Sequence, residues 1–371
     1  MKQYHFLPVL LTLAASYIGL HFYAARWLTR SFCLGPAAAQ ALRAALLLAA
    51  FFAPFAMYLR RAHHGPALEV FYNFGYAWMG IIMVAAMVFF LSDLAAFPLR
   101  RFCAELAARR LPAATLFALT AVLAVSFYGG LKTPPLKRIT VPIRNLPAGL
   151  EGFKIAQISD MHVDSEWKLR QLRGIVGELN REKPDLVLIT GDLIDPGLTC
   201  QEGLRGILLS IKSRLGLFGS LGNHEYYYGL DKSIGCYKDF GIKLLKNESV
   251  DLKELRLTGL GDIHTENLSG ADVTRLLEKS KSREFTVIMS HQPVYYDLMA
   301  AEGDYLVLSG HTHRGQIFPF HIFTRIFYPY FYGLYRIKDS VFYVTSGAGT
   351  WGPPMRWLAP AEVPILTLKK Y

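Results

Sequence analysis

Five short clusters in the second half of this 371-residue chain close apolar runs with carboxylate, amide or imidazole side chains. They are Asp160-Met-His162, Gly191-Asp192, Gly222-Asn223-His224-Glu225, Ser290-His291 and Gly310-His311-Thr312-His313. This mixed oxygen and nitrogen donor set suits a pair of divalent cations that share one carboxylate, an arrangement that hydrolyses phosphate esters by in-line attack. Taken singly, Asp-x-His and Gly-Asp are ordinary turn sequences. Gly-Asn-His-Glu is rarer, and two imidazoles two residues apart behind an apolar run have few structural uses. The ordered set therefore carries more weight than its parts.

Such ligands need rigid elements to hold them. Phe153–Ser159, Leu186–Thr190, Leu217–Leu221, Phe285–Met289 and Tyr305–Ser309 are strand-like runs, each leading into one cluster. They alternate with polar, helix-like stretches near 166–182, 198–214 and 270–281, the pattern of an α/β fold. In such folds, loops at the strand ends converge on one crevice. Glycines at 191, 222 and 310 permit tight turns and close backbone approach there.

The front of the chain has a different character. Overall the chain is 52% hydrophobic and 19% charged, with a formal net charge of +11. Residues 1–130 hold three acids (Glu69, Asp93, Glu105) against ten Lys and Arg, most of them in short loops between apolar stretches. That placement points to lipid headgroups, and nucleic acid is not expected as a partner. Four stretches, near Phe6–Trp27, Ala37–Leu59, Phe71–Leu91 and Ala113–Tyr128, are read as membrane-spanning helices. The first is read as a retained helix rather than a signal peptide, because three more apolar segments follow it.

An even number of spans puts the N-terminus and the C-terminal domain on one side. Arg26, Arg30, Arg100, Arg101, Arg109 and Arg110 fall on one face of the membrane. Lys2, Arg60, Arg61, Lys132, Lys137, Arg138 and Arg144 fall on the other. Six against seven is no asymmetry, so the orientation stays open. Residues 131–150, rich in proline and with an edge-strand candidate at Ile139–Ile143, are read as a linker to a domain over 151–371. Cys33, Cys103, Cys200 and Cys236 lie outside the ligand clusters and read as buried thiols; a Cys200–Cys236 bridge requires an oxidising compartment.

Ile158-Ser-Asp-Met-His162, Gly222-Asn-His-Glu-Tyr-Tyr227, Gly310-His-Thr-His313 and Thr345-Ser-Gly-Ala-Gly-Thr350, in this order over about residues 150–365, resemble the calcineurin-like metallophosphoesterase superfamily. They are similar in particular to its membrane-attached YkuE/YaeI-like branch, and the apolar front resembles transmembrane proteins with a metallophosphoesterase domain. The resemblance implies a four-layer αββα sandwich behind an all-α four-helix transmembrane region. It implies one cation on Asp160, His162, Asp192 and His313, and a second on Asp192, Asn223, His291 and His311, with Asp192 bridging. A hydroxide formed between the ions would be the nucleophile, and His224 would protonate the leaving oxygen. Mn, Fe, Zn or Co would each suit the donors. Asp195, Asp164 and Glu225 are read as supporting residues. Relatives carry glycine after the last histidine; here Arg314 follows, either to clamp a phosphate or acidic headgroup or to point to solvent.

Residues 317–335 contain nine Phe or Tyr and one charge, Arg325, with Pro319 and Pro329 expected to interrupt any helix. This tract is read as an apolar wall at the membrane or the transmembrane bundle, or else as a lid packed on its own domain. The expected function is a bacterial plasma-membrane phosphohydrolase cleaving a phosphodiester or pyrophosphate with a lipid part, of the UDP-2,3-diacylglucosamine, phospholipid or polyprenyl phosphate kind. The alternatives are a nucleotide or cyclic-nucleotide phosphodiesterase, a nuclease, or a non-catalytic metal-binding membrane sensor.

Overall fold

The computed structural model describes residues 6–62, 66–102, 105, 110–195, 202–253, 255–279 and 285–371. Two units emerge: Met1–Tyr128 with Gly352–Trp357, and Gly129–Trp351 with Leu358–Tyr371.

The first unit contains α1 (Phe6–Ser31), α2 (Pro36–Ala62), α3 (Pro66–Phe102) and most of α4 (Leu111–Leu131). Four helices stand where four apolar stretches were read, but among the described residues only three are long and apolar enough to cross a bilayer: Pro36–Leu59, Leu68–Leu99 and Leu111–Leu131. The second half of α1 carries His21, Arg26 and Arg30, which dilute its apolar run. Among the described residues three such helices thus stand against the four spans expected, and sidedness cannot be argued from an even number. Pro54 and Pro98 sit inside α2 and α3. Lys2, Arg109, Cys103 and Cys200 lie outside the described residues. Cys236 is disulfide-bonded, not a free thiol as read from sequence.

The second unit holds two six-stranded mixed sheets. The first has the order β1 (Leu136–Ile143), β12 (Val363–Lys370), β2 (Lys154–Ile158), β3 (Leu186–Thr190), β4 (Leu217–Ser220), β5 (Lys243–Leu244). The second runs β10 (Gly333–Ile337), β11 (Ser340–Val344), β9 (Tyr305–Ser309), β8 (Phe285–Met289), β7 (Leu255–Gly259), β6 (Glu248–Leu252). Residues of the expected linker thus enter the first sheet as its edge strand, β1.

Apolar side chains from both sheets, Ile155, Leu188 and Leu366 from one and Leu257, Val287 and Leu308 from the other, interleave in a single core cluster. The outer face of the first sheet packs on α5 (Glu166–Glu182), α6 (Glu202–Leu209) and α8 (Leu230–Asp239). The outer face of the second packs on α9 (Gly270–Lys279) and α10 (Tyr296–Glu302). Helix on sheet on sheet on helix is the four-layer sandwich. All five residues of β3, β8 and β9 are buried, which is why these strands read as unbroken apolar runs instead of alternating ones.

β2, β3 and β4 are parallel to one another, as are β8 and β9. Their C-terminal ends therefore emerge together within each sheet. One element departs from the sequence reading. The aromatic tract forms a helix, α11 (Phe320–Phe327), because Pro319 and Pro329 bracket it rather than fall within it, and proline is tolerated at a helix start.

Candidate metal centre

Asp160, Asp192, His291 and His311 each follow the last residue of their strand by two positions, and Asn223 follows β4 by three to open α7 (Asn223–Tyr228). The turns that place them are strained. Asp160, His162, Asp192, His311 and His313 all have positive φ, between 48° and 68°, a region that costs a non-glycine residue of order 1–3 kcal/mol. Backbone hydrogen bonds stitch these turns together: Asp160 N–H donates to Gly191 O (3.1 Å), His162 N–H to Asp192 O (3.0 Å) and Gly310 N–H to His291 O (2.9 Å). Gly191, at φ +87°, leaves no space for a Cβ, which would fall 2.5 Å from His291 Nδ1.

Two clusters of donor atoms result. In the first, His162 Nε2 lies 3.0 Å from His313 Nε2, and His313 Nε2 lies 3.5 Å from Asp160 Oδ1. In the second, His291 Nε2 lies 3.1 Å from Asp192 Oδ2 and 3.3 Å from His311 Nδ1. Asp192 Oδ2 is also 3.8 Å from His162 Nε2, so one carboxylate oxygen faces both clusters. All of these residues are buried or nearly so.

The donors fit two cations. His291 Nδ1 is 2.8 Å from Thr190 O, a carbonyl that can only accept, so Nδ1 keeps its proton. Nε2 faces Asp192, which against the opposing effect of burial raises the imidazole well above its ordinary value, and a cation there would take the place of the Nε2 proton. Asp160 Oδ2 and Asn223 Oδ1 are buried with no hydrogen-bond partner, a costly state that a cation relieves. Burial raises the Asp160 carboxyl above its ordinary value, with the Asp192 charge adding to it. Burial and then the charge of His291 push His311 down to about 3, leaving it neutral with a lone pair to give. Burial alone would raise Asp192, but the imidazoles, His291 foremost, hold it far below the usual carboxylate range.

His224 stands beside the first cluster. Its Nδ1 is hydrogen-bonded to Asp195 Oδ1, which also lies 3.3 Å from His162 Nδ1. Burial favours neutral His224, but Asp195 outweighs it and pushes the pKa up to about 9. Asp195 itself is held well below its ordinary value against the opposing effect of burial, by His162 and His224. With Nδ1 occupied, the proton His224 can exchange is on Nε2. The rings of Tyr227 and Trp351 lie 5.4 and 6.1 Å from that of His224, and both are more than half exposed.

Five residues carry more of the site than sequence suggested. The Glu225 carboxylate accepts from the N–H groups of Asp192 (2.9 Å), Leu193 (2.8 Å), Ile194 (3.3 Å) and Gly222 (2.8 Å), which ties two ligand turns together. Lys168 is buried, and its Nζ donates to His162 O (2.8 Å) and Thr350 O (3.0 Å) while pairing with Asp164 (3.1 Å). Tyr328 Oη lies 2.9 Å from His311 Nε2 and donates to Gln292 Oε1 at 3.2 Å. Gln292 Nε2 in turn donates to both oxygens of Asp262, at 3.0 and 2.8 Å. The directions propagate: Asp262 orients the Gln292 amide, Gln292 takes the Tyr328 proton, and Tyr328 then accepts from His311 Nε2–H. That leaves Nδ1 of His311 as its free lone pair, facing His291. A lone Tyr in an aromatic tract gives no signal of this kind in sequence.

Arg314 neither clamps these clusters by any described contact nor points freely into solvent. Its guanidinium stacks 4.3 Å from the centre of the Tyr332 ring, whose hydroxyl is bound by Lys137 and Glu362.

Residues 153–315 match the family model described as calcineurin-like phosphoesterase. The chain is 36% identical over 251 residues to an uncharacterized metallophosphoesterase of Campylobacter jejuni, covering 66% of each chain. It is 31% identical over 268 residues to a transmembrane protein with metallophosphoesterase domain of Danio rerio, covering 68% of this chain and 61% of that one. It is 31% identical over 245 residues to the uncharacterized metallophosphoesterase YkuE of Bacillus subtilis, covering 62% of this chain and 84% of that one. The chain thus spans about two thirds of the length of the first of these relatives.

Proposed function

Because this chain belongs to the calcineurin-like phosphoesterase family, we propose that it is a membrane-anchored dinuclear-metal phosphohydrolase of the bacterial plasma membrane, cleaving a phosphodiester or pyrophosphate bond on a lipid-linked substrate. The observation that carries this reading is the pairing of two donor clusters around Asp192 Oδ2, with Asp160 Oδ2 and Asn223 Oδ1 buried and unpartnered beside them. Asp160, His162 and His313 would hold one cation, Asn223, His291 and His311 the other, and Asp192 both. When bound, the cations supply positive charge for the phosphoryl oxygens and acidify a water as nucleophile.

The remaining chemistry belongs to the side chains. As the bond from phosphorus to the leaving oxygen breaks, His224 releases its Nε2 proton to that oxygen, and Asp195 stabilises the imidazolium before transfer. Glu225 and Lys168 hold the ligand turns at their strained φ values. His311 and His291 keep their lone pairs inward through Tyr328 and Thr190.

Two features support a lipid-linked substrate. β1 begins at Leu136, five residues after the last membrane-type helix ends at Leu131, so the domain that carries the site is joined to that helix by a short link. Exposed Tyr227 and Trp351 flank His224, and offer apolar surface to the group leaving there. His224, held by Asp195 beside the ligands, is a group that metal binding alone would not require, and favours catalysis over a metal-binding sensor.

The test is a hydrolysis panel with the full chain in liposomes under Mn²⁺: a nucleotide-diphospho-lipid, a phospholipid, a cyclic nucleotide and an oligonucleotide. Turnover of a lipid-linked ester, abolished by Asp192→Asn, is expected. Turnover confined to the cyclic nucleotide or oligonucleotide would overturn the substrate class, and activity surviving in Asp192→Asn would overturn the mechanism.

A further inference from the structure

α11 is the most exposed apolar element of the second unit. None of its eight residues is buried. Ile322 and Phe323 are each 53% exposed, Ile326 69% and Phe327 77%. At spacings of one, four and five residues these four side chains form one continuous stripe, while His321, Thr324 and Arg325 occupy the other side of the helix. A contiguous apolar face of this kind on a water-facing surface marks an interaction site.

We propose that this face docks into the lipid monolayer, as an interfacial helix lying in the plane of the headgroups. Eight residues of helix reach only about 12 Å, far short of the ~20 residues a spanning helix needs, so α11 can lie on a membrane but not cross it. A bilayer is always at hand, since the unit that carries α11 starts within a few residues of a membrane-type helix. Arg325 is exposed on the opposite face of the helix, available to phosphate headgroups. The docked element is also tied to the metal centre, because its C-terminal cap is Tyr328, the residue that orients His311.

This inference rests on the membrane-anchored part of the reading above and is independent of the substrate. It is tested by nitroxide labels at Ile326→Cys, Phe327→Cys and Arg325→Cys, each in the full chain with Cys33→Ser and Cys103→Ser, reconstituted in phosphatidylethanolamine/phosphatidylglycerol nanodiscs. The unsubstituted parent serves as the blank. Power saturation should show positions 326 and 327 rich in oxygen collisions and poor in collisions with a water-soluble nickel chelate, with the reverse at 325. Adding Ile326→Glu should make the label at 327 accessible to nickel. Labels at 326 and 327 as open to nickel as that at 325, or shielded from both reagents as a protein contact would be, overturn the proposal. A chain inactive on every phosphoester would end the hydrolase reading and leave the label result standing.

Discussion

The Nε2 atoms of His162 and His313 face each other 3.0 Å apart, one at the end of β2 and the other, 151 residues later, beyond β9. At that distance one Nε2–H can donate to the other nitrogen, or both can turn lone pairs to a cation between them. His162 has its other nitrogen 3.3 Å from the Asp195 carboxylate, which fixes the proton on Nδ1 and leaves Nε2 as the lone pair. This is the arrangement the proposed first cation site requires.

Replacing His224 by Ala should lower kcat by about 10²–10³ on a substrate with an alkoxide leaving group, within the range for a lost general acid. The loss should shrink to about tenfold or less on a p-nitrophenyl ester, whose leaving oxygen needs no proton. Steady-state kinetics on the two esters checks this; equal losses on both would remove His224 from proton transfer.

Glu225→Gln keeps the shape of the side chain and turns one acceptor oxygen into a donor. It then faces N–H groups that Glu225 now binds at 2.8–3.3 Å. Loss of charge-assisted hydrogen bonds from a buried site should cost about 3 kcal/mol or more, read as a lower urea midpoint. Because the same N–H groups shape the turns of Asp192 and Asn223, metal affinity should fall as well.

Lys168→Met should keep the buried volume and remove the ammonium that holds His162 O and Thr350 O. The ion pair with Asp164 is lost with it, and stability should drop by about 3–5 kcal/mol, the cost of removing one partner of a buried ion pair. The double change with Asp164→Asn should recover part of the loss, as a denaturation series on the two variants would show.

These last two roles indicate where sequence reading stops. The strand-end clusters are legible because each is local: an apolar run, a glycine, then a ligand within three residues. Their number and order make the family and the four-layer fold legible too. Glu225 reaches back some 33 residues to Asp192, and Lys168 reaches forward 182 residues to Thr350; no spacing in sequence encodes such meetings. α11 was missed for a different reason. Two prolines ten residues apart read as helix breakers, whereas the helix fits between them.

Tyr328→Phe deletes only the hydroxyl that receives His311 Nε2–H. The ring of His311 is then free to present either nitrogen, and affinity for the cation held with His291 should fall by about 10–100-fold, the usual effect of losing a partner that orients a metal ligand. Competition with a fluorescent chelator should resolve one weakened site and one unchanged site.

The central claim is that Asp192 joins two cation sites in one pocket. Its most direct test is elemental analysis of the purified full chain after dialysis against excess Mn²⁺ and then metal-free buffer, with His291→Ala and Asp192→Asn in parallel. Two equivalents of metal in the unsubstituted protein, about one in His291→Ala and fewer than one in Asp192→Asn are predicted. A fully active protein with no transition metal, or two equivalents retained in Asp192→Asn, would contradict it.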